Sequence, residues 1–305
     1  HKLKFGQTIR EVGPSWHKSK QGTPTMGGIM FILGIAIAMI GCLPIFYSFG
    51  MEEAVLLKAK TFAGLGMAVA FGVIGFMDDY ISILKKRNLG LTERQKLVLQ
   101  FAVVAAYLVS VALAGGGTST TIPFVGQLNL GWFYYPLAAV VIVGVVNAVN
   151  FTDGIDGLNT TVSFFAFLSL ALCAGILSMT GLSAMGVASA AACVGFLIWN
   201  WHPAKVFMGD TGSLFMGGMV CALAFGIDLP VLLLPVGFVY LCEILSVVLQ
   251  VTYFKATHGK RLFKMSPIHH HFEMCGWSEV KICGVFGLVA CAGGAAAVLC
   301  VLFGM

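Results

Sequence analysis

Apolar stretches of about 20 residues recur along this chain, and they limit what it can fold into more than any other feature. A helix of about 20 apolar residues spans roughly 30 Å of hydrocarbon, whereas a transmembrane β-strand alternates over about ten residues. Nine such stretches run approximately over residues 26–49, 57–77, 97–114, 132–149, 161–179, 182–199, 212–227, 230–253 and 280–303. The sequence therefore predicts an all-α polytopic membrane protein with about nine transmembrane helices.

The composition excludes a water-soluble globule. Of the 305 residues, 58% are hydrophobic and 10% are charged, and the mean hydropathy is +0.93. This balance is typical of an integral membrane protein, and we expect one integral-membrane domain over residues 1–305. The nine cysteines have no C-x-x-C spacing and lie mostly in apolar stretches, which favours packing over metal binding or disulfide formation.

Basic residues are unevenly shared between the loops of the two sides. Sixteen of the 18 Lys and Arg residues fall in loops on the side of the N-terminus, and only Lys58 and Lys60 fall on the other. The positive-inside rule therefore predicts that the N-terminal side is cytoplasmic. On the opposite side, the uncharged segment TSTTIPFVGQLNLG predicts a small extracytoplasmic hairpin.

Five aspartates, Asp78, Asp79, Asp153, Asp156 and Asp210, lie where apolar stretches meet the predicted cytoplasmic side. If they converge, they form one acidic site of the kind that holds a divalent cation and a phosphate. Two adjacent carboxylates at a helix C-terminus oppose the helix macrodipole and need compensation. The candidates are a bound Mg²⁺ or the basic run Lys85, Lys86 and Arg87, so a simple neutralised surface pair stays open.

The middle motif, NAVNFTDGIDGLN, combines amides and acids at regular spacing. Asn150, Asp153 and Asp156 are three residues apart and share a face if the segment is helical. Gly154 and Gly157 let a ligand approach the backbone. The pattern suits a nucleoside, with an ordinary polar turn as the alternative.

Three further motifs suit phosphate. Asp210 opens an apolar stretch, where it could cap a helix, and a helix N-terminus close to Lys205 could hold an anion. Lys20 lies close to another span entrance and could also contact phosphate. The histidines at 269–271 point in different directions because they are adjacent, which favours phosphate binding or proton handling over a shared zinc.

One predicted span carries a polar stripe. Glu243, Ser246 and Gln250 lie at i, i+3 and i+7, so this face contacts protein or water, and an ionisable residue at membrane depth is a functional candidate. Pro235 and Gly237 could bend the same span.

Together, the strings GTPTMGG, FMDDY, NAVNFTDGIDGL, PAKVFMGDTGSL and SPIHHHFE resemble the phospho-N-acetylmuramoyl-pentapeptide transferases of the polyprenyl-phosphate N-acetylhexosamine-1-phosphate transferase superfamily. The resemblance runs from about Lys18 to Glu273. It implies a ten-helix, usually homodimeric enzyme of the bacterial cytoplasmic (inner) membrane. Such an enzyme uses Mg²⁺ to join UDP-MurNAc-pentapeptide to undecaprenyl phosphate, which gives lipid I for peptidoglycan and releases UMP. The family's first helix is then expected upstream of His1, and no nucleic-acid partner is expected.

The resemblance also implies residue roles. Asp78, Asp79, Asp210 and His269 match catalytic positions, and Asp210 matches the Mg²⁺ ligand. The matching substrate-binding positions are Lys20, Thr25, Asn150, Asp153, Gly154, Asp156, Asn200, Phe207, Gln250, His270 and His271. Ser82 stands where relatives often carry a basic residue, so no cationic role is expected there.

The expected mechanism is direct attack of the lipid phosphate on the β-phosphorus, with Asp78 accepting its proton and Asp79 supporting the metal or lysine network. A covalent aspartyl-phosphate route is the alternative. Other functions considered are a sister transferase that uses UDP-GlcNAc and an ion-coupled transporter. A transporter should place its charges near the midplane in broken helices and show internal repeats, and neither pattern is present.

Overall fold

The computed structural model describes residue 20 and residues 22–48, 53–85 and 90–305, and this part of the chain is mostly helical. The helices are α1 (Gly28–Ser48), α2 (Val55–Leu84), α3 (Glu93–Leu113), α4 (Tyr134–Thr152), α5 (Leu158–Ile176), α6 (Thr180–Asn200), α7 (Gly209–Gly226), α8 (Leu233–Val236), α9 (Phe238–Ala256), α10 (Ile268–Glu273) and α11 (Glu279–Gly304). Strands β1 (Ser119–Ile122) and β2 (Gly126–Asn129) form an antiparallel hairpin. The predicted all-α class and the small hairpin are confirmed.

Seven helices are long and apolar enough to cross a membrane. They are α2, α3, α4 with the 3-10 turn before it, α5, α6, α9 and α11. The other two predicted spans, 26–49 and 212–227, correspond to α1 and α7. Every residue of α7 from Thr211 to Gly226 is buried against other parts of the protein.

Helix α2 packs closely along α7. A Cβ at Gly218 of α7 would lie 2.9 Å from the Cα of Ala68, and a Cβ at Gly75 of α2 would lie 2.1 Å from the carbonyl oxygen of Asp210. Such close approach of two backbones requires small residues at the contact. The packing brings the C-terminal end of α2 directly to the first turn of α7.

The helix ends define two ends of the bundle. The acidic end contains the C-termini of α2, α4, α6 and α9 and the N-termini of α3, α5, α7 and α11. The hairpin end contains β1 and β2, where Phe124 N donates to Gly304 O at 2.9 Å and Thr121 N donates to Asp228 O at 2.9 Å. The three aspartate motifs therefore lie at one end of the bundle, as predicted.

The predicted span over residues 230–253 is broken. A 3-10 turn (Pro230–Leu232) and the short α8 precede Gly237, and α9 starts at the next residue. The predicted bend near Pro235 and Gly237 is confirmed. Helix α9 begins after the break and runs toward the acidic end, so its polar residues lie between the break and that end.

The contact between α2 and α7 can be tested with two glycines on α2. We expect Gly75→Ala to lower the stability of the protein by about 1–3 kcal/mol, because the new methyl group overpacks the contact with Asp210. Gly66→Ala is the matched control, since a Cβ there has no heavy atom within 4 Å. Thermal unfolding of the purified variants in detergent measures the difference, and equal melting temperatures would contradict the packing described.

Candidate active site

A carboxylate from α2 caps the N-terminus of α7. Asp79 Oδ1 accepts a hydrogen bond from Asp210 N at 3.1 Å, and Oδ2 accepts from Thr211 N at 3.0 Å and from Thr211 Oγ1 at 2.7 Å. The first N–H groups of a helix lack partners within the helix, and a negative charge is favoured there. Gly209 has a positive φ of 69°, and a Cβ on it would lie 2.5 Å from Asp79 Oδ2 and 2.9 Å from Thr25 Oγ1. Asp79 and Thr25 thus lie together at the start of α7.

Asp210 is the centre of a network that joins three helices. Its Oδ2 forms an ion pair with Lys96 Nζ of α3, and its Oδ1 accepts a hydrogen bond from Asn150 Nδ2 of α4 at 2.9 Å. The same amide nitrogen donates to Ser213 Oγ at 2.8 Å. The carboxylate is 29% exposed, so one side of it is accessible while the other is held by protein.

Asp78 lies beside this network. Its Oδ1 accepts a hydrogen bond from Leu91 N at 2.9 Å, which holds the loop before α3, and its carboxyl interacts directly with that of Asp210. Lys96 interacts electrostatically with both aspartates. The predicted compensating residues Lys86 and Arg87 lie outside the described residues, so the compensating charge that the structure describes comes from Lys96.

We call Asp78, Asp79, Asp153 and Asp210 the carboxylate cluster. Asp153 follows the last residue of α4, and burial raises its pKa to about 8, with further contributions from the negative charges of Asp210, Asp79 and Asp156. Burial is the main cause of this shift and repulsion from the neighbouring carboxylates adds to it, and the described cluster holds more carboxyls than the one ammonium group of Lys96 can pair with. Closely spaced carboxylate oxygens in excess are the donor set that a hard divalent cation binds.

A second group of charges lies around Asp156. Lys20 Nζ is 2.7 Å from both Asp156 Oδ1 and Glu279 Oε2, and Asp156 N donates to Glu279 Oε2 at 2.9 Å. Asp156 Oδ2 accepts from Ala204 N at 2.9 Å and lies 3.0 Å from His202 Nδ1. Ligand atoms of Asp156, His202 and Glu279 lie within 4.8 Å of one another, a spacing that could hold a metal. Because the Lys20 ammonium group already bonds both carboxylates, positive charge is better balanced here than in the carboxylate cluster.

The three adjacent histidines point in different directions, as the sequence predicts. His269 Nδ1 lies 3.0 Å from Glu243 Oε2, and His270 Nδ1 lies 2.6 Å from Glu273 Oε2. His271 Nδ1 accepts a hydrogen bond from a backbone N–H of the preceding loop at 3.2 Å. They therefore hold different parts of the segment around α10.

Gln250 and Asn200 bind the backbones of nearby loops. Gln250 Oε1 accepts from the N–H groups of Leu262 and Phe263 at 3.1 and 2.8 Å, which fixes the loop before α10. Asn200 is buried, and its Nδ2 donates to Val206 O at 3.1 Å while its Oδ1 accepts from a threonine hydroxyl at 2.8 Å. Direct contact of either residue with a substrate stays a prediction.

Phe207 belongs to a short backbone ladder beside the site. Its N–H donates to Pro24 O at 2.8 Å, and its carbonyl oxygen accepts from Gly27 N at 2.9 Å. The ladder ties the segment that carries Lys20 and Thr25 to the segment that precedes α7. Phe207 itself is half-buried.

Sequence reasoning did not single out several residues of the site, namely Lys96, Thr211, Ser213, His202 and Glu279. Lys96 had a usable signal, because a cation in the first turns of a helix opposes the macrodipole and is favoured only with an acidic partner. Glu279 had none, because an acidic residue at the start of a helix is ordinary.

The chain is similar to known proteins over most of its length. A model of glycosyl transferase family 4 matches residues 61–227, which include the whole carboxylate cluster. Residues 20–32 match a phospho-N-acetylmuramoyl-pentapeptide-transferase signature, which includes Lys20 and Thr25.

Curated relatives carry the same description. The chain is 44% identical over 289 residues to the phospho-N-acetylmuramoyl-pentapeptide-transferase of Halalkalibacterium halodurans, with 94% of this chain and 86% of the relative covered. Identity to the protein of that description in Clostridium perfringens (strain SM101) is 46% over 290 residues, which cover 95% and 86% of the two chains. Identity to that of Bacillus subtilis (strain 168) is 45% over 286 residues, which cover 93% and 86%.

The raised pKa of Asp153 predicts a pH-dependent stability. The carboxyl has a pKa of about 8 in the folded protein and an ordinary value of 3.8, so the folded state keeps its proton where the unfolded state has lost it. This contribution therefore reduces stability progressively as pH rises from about 4 to 8. Asp153→Asn removes the titration, and its gain in melting temperature over the unmodified protein should be larger at pH 8 than at pH 5. Thermal unfolding in EDTA measures both gains, and a gain independent of pH would contradict the assignment.

Proposed function

Because the chain belongs to the phospho-N-acetylmuramoyl-pentapeptide transferases of glycosyl transferase family 4, we propose that it makes lipid I. In this reaction, phospho-MurNAc-pentapeptide passes from UDP-MurNAc-pentapeptide to undecaprenyl phosphate, and UMP is released. The observation that carries the proposal is the carboxylate cluster, paired among the described residues with Lys96, at one end of a bundle of apolar helices. Transfer between two anionic substrates depends on neutralising and aligning charge, and this end of the bundle supplies groups for both.

The location of the cluster suits the two substrates. A polyprenyl phosphate is anchored in the bilayer and a nucleotide sugar arrives from water, so the reaction must occur at a membrane surface. We infer that the acidic end faces the cytoplasm of a bacterium, because the sequence assigns 16 of the 18 basic residues to the side on which the aspartate motifs lie. We also propose one integral-membrane transferase domain over residues 1–305, supported by one continuous core from α1 to α11, and homodimeric assembly.

We propose that the enzyme depends on Mg²⁺ and that Asp210 is its ligand, with Asp78 beside it. The excess of carboxylates in the cluster supports this, since Mg²⁺ binds carboxylates and retains waters. A bound Mg²⁺ would neutralise charge on the diphosphate and on the departing UMP. Lys96, which pairs with Asp210, would also stabilise negative charge on the phosphate oxygens of the diphosphate and of the departing UMP.

The two adjacent aspartates have different proposed roles. Asp79 accepts three hydrogen bonds from the first turn of α7, so we assign it to holding Asp210 and Thr211 in place. Asp78 accepts a single backbone hydrogen bond and interacts with Asp210, which makes it the candidate to accept a proton from the lipid phosphate. The lipid phosphate would then attack the β-phosphorus directly.

The nucleoside is proposed to bind at the turn between α4 and α5. Asn150, Asp153, Gly154 and Asp156 line this turn, and Lys20 is fixed beside it by Asp156. Phe207 and Gln250 are the further proposed contacts of the nucleoside. Asn200, Thr25, His270 and His271 are proposed to bind the substrates, and His269 is a proposed catalytic residue. The sister reaction with UDP-GlcNAc is disfavoured by the match of residues 20–32, and the transporter by the enzymatic description of the relatives.

Substrate choice tests the proposal. Purified protein with undecaprenyl phosphate and Mg²⁺ should release UMP from UDP-MurNAc-pentapeptide and far less from UDP-GlcNAc. Release of UMP should stop in EDTA and return with added Mg²⁺. No UMP from the first donor, or equal release from both, would overturn the specific reaction.

Two substitutions test the cluster. Asp210→Asn and Lys96→Met should each lower kcat by about 100-fold or more, because each removes charge that acts on the transferring phosphate. Arg94→Met is the matched control for the lysine, since Arg94 is exposed on the same helix, and it should retain activity. Full activity of Lys96→Met would remove the proposed role of the ion pair.

The direct mechanism is separated from the covalent route by a trapping experiment. Radiolabelled UDP-MurNAc-pentapeptide is mixed with the enzyme in the absence of lipid phosphate, and the protein is isolated under denaturing conditions. Direct attack predicts no label on the protein. Labelled Asp78, located by peptide mapping, would establish the covalent route instead.

A further inference from the structure

Helix α9 carries a buried carboxylate, that of Glu243, whose hydrogen bonding is incomplete. Glu243 is fully buried, and its Oε2 lies 3.0 Å from Nδ1 of His269, which is also fully buried. Within the described part of the chain, Glu243 Oε1 has no hydrogen-bond partner. A buried ionisable group of this kind is costly, so its presence needs a reason other than packing.

The other nitrogen of the same imidazole is also unpaired. Among the residues that the structure describes, none hydrogen-bonds to His269 Nε2. It faces Gly154, where a Cβ would lie 2.2 Å from Nε2 and 2.7 Å from Cε1. Unpaired buried polar atoms are rare in proteins, so two of them on one side-chain pair call for an explanation.

Glu243 determines how the imidazole is oriented. A carboxylate oxygen only accepts, so the 3.0 Å contact with Glu243 Oε2 favours a proton on Nδ1 and holds the ring with Nε2 directed at Gly154. Rotation of the ring would break this hydrogen bond and move ring atoms into the turn. The backbone at Gly154 therefore packs against the His269 ring, and the position of that ring is fixed by Glu243 of α9.

That turn carries the two aspartates on either side of Gly154. Asp153 belongs to the carboxylate cluster, and Asp156 holds Lys20 at 2.7 Å. Displacement of Gly154 would change the spacing of both carboxylates relative to α7. Glu243 touches neither aspartate, so any influence on them must pass through His269.

We propose that Glu243 is a positioning residue for the nucleotide pocket, acting through the orientation of the His269 ring on the turn around Gly154. This rests on the proposed function, since it takes the turn to bind the uridine nucleotide. A purely structural link between α9 and α10 would affect stability alone, whereas positioning couples Glu243 to Gly154 in nucleotide binding.

A double-mutant cycle tests the proposal with the purified full chain and UDP as the probe. Glu243→Met keeps the length of the side chain but removes the acceptor, and Gly154→Ala pushes a methyl group against Nε2. Each should weaken UDP binding, measured by calorimetry, by about tenfold. The double variant should lose far less than the product of the two, because a released ring can move away from the new methyl group.

Two control variants show whether an effect in the double-mutant cycle comes from the hydrogen-bond acceptor of Glu243. Glu243→Gln offers a carbonyl oxygen to Nδ1–H and should bind UDP within about threefold of the unmodified protein. Ser246→Ala, on the same stripe of α9, removes a hydroxyl that donates only to Glu243 O at 2.7 Å, and should leave UDP binding unchanged. Wild-type affinity in Glu243→Met, or additive losses in the double variant, would overturn the proposal.

A second readout does not depend on nucleotide. Nitrogen-15 spectra of labelled histidine, assigned by the signal lost in His269→Ala, report which ring nitrogen carries the proton. We expect protonated Nδ1 in the unmodified protein and in Glu243→Gln, and a changed tautomer balance in Glu243→Met. An unchanged signal in Glu243→Met overturns the positioning role, whereas the expected signals without any UDP binding would overturn the proposed function alone.

Discussion

The site depends on the hydrogen bonds that join Asp79 of α2 to the first turn of α7. Helix α7 is enclosed by protein, so its N-terminal N–H groups have little access to water and need partners from neighbouring side chains. Asp79 supplies two of these partners and also binds the Thr211 hydroxyl. This cap sets the position of Asp210, and the contacts of Lys96 and Asn150 with Asp210 follow from it.

The same geometry separates the roles of two adjacent aspartates. Successive residues of an α-helix are rotated by about 100°, so Asp78 and Asp79 leave the end of α2 in different directions. One reaches the backbone of α7, and the other meets the loop before α3 and the carboxyl of Asp210. The acidic pair therefore contains one carboxylate that caps α7 and one that contacts Asp210, a distinction that the string FMDDY does not contain.

Much of the fold and the end of the bundle that holds the site could be predicted, because both depend on local patterns. The length and hydropathy of the apolar stretches predict the helices, and the uneven distribution of Lys and Arg between the loops predicts which side is cytoplasmic. What could not be predicted is pairing across long sequence separations, such as Lys96 with Asp210 or Glu243 with His269, because a local pattern can mark one residue, as the polar stripe marks Glu243, without identifying its partner. The complete burial of α7 from Thr211 to Gly226 has the same origin, since it is decided by the helices that surround it.

The two groups of charges at the acidic end differ in how positive charge is supplied, and this difference separates their chemistry. Around Asp156, the Lys20 ammonium group bonds two carboxylates at once, so this network is fixed by the chain itself. In the carboxylate cluster, Lys96 interacts with Asp78, Asp79 and Asp210, and the fourth carboxyl, that of Asp153, keeps its proton near neutral pH because burial raises its pKa to about 8. A divalent cation of the kind we propose would compete with that proton, so its affinity would rise with pH as Asp153 ionises. The network around Asp156 thus suits the proposed orientation of a polar ligand, and the carboxylate cluster suits the proposed binding of a divalent cation.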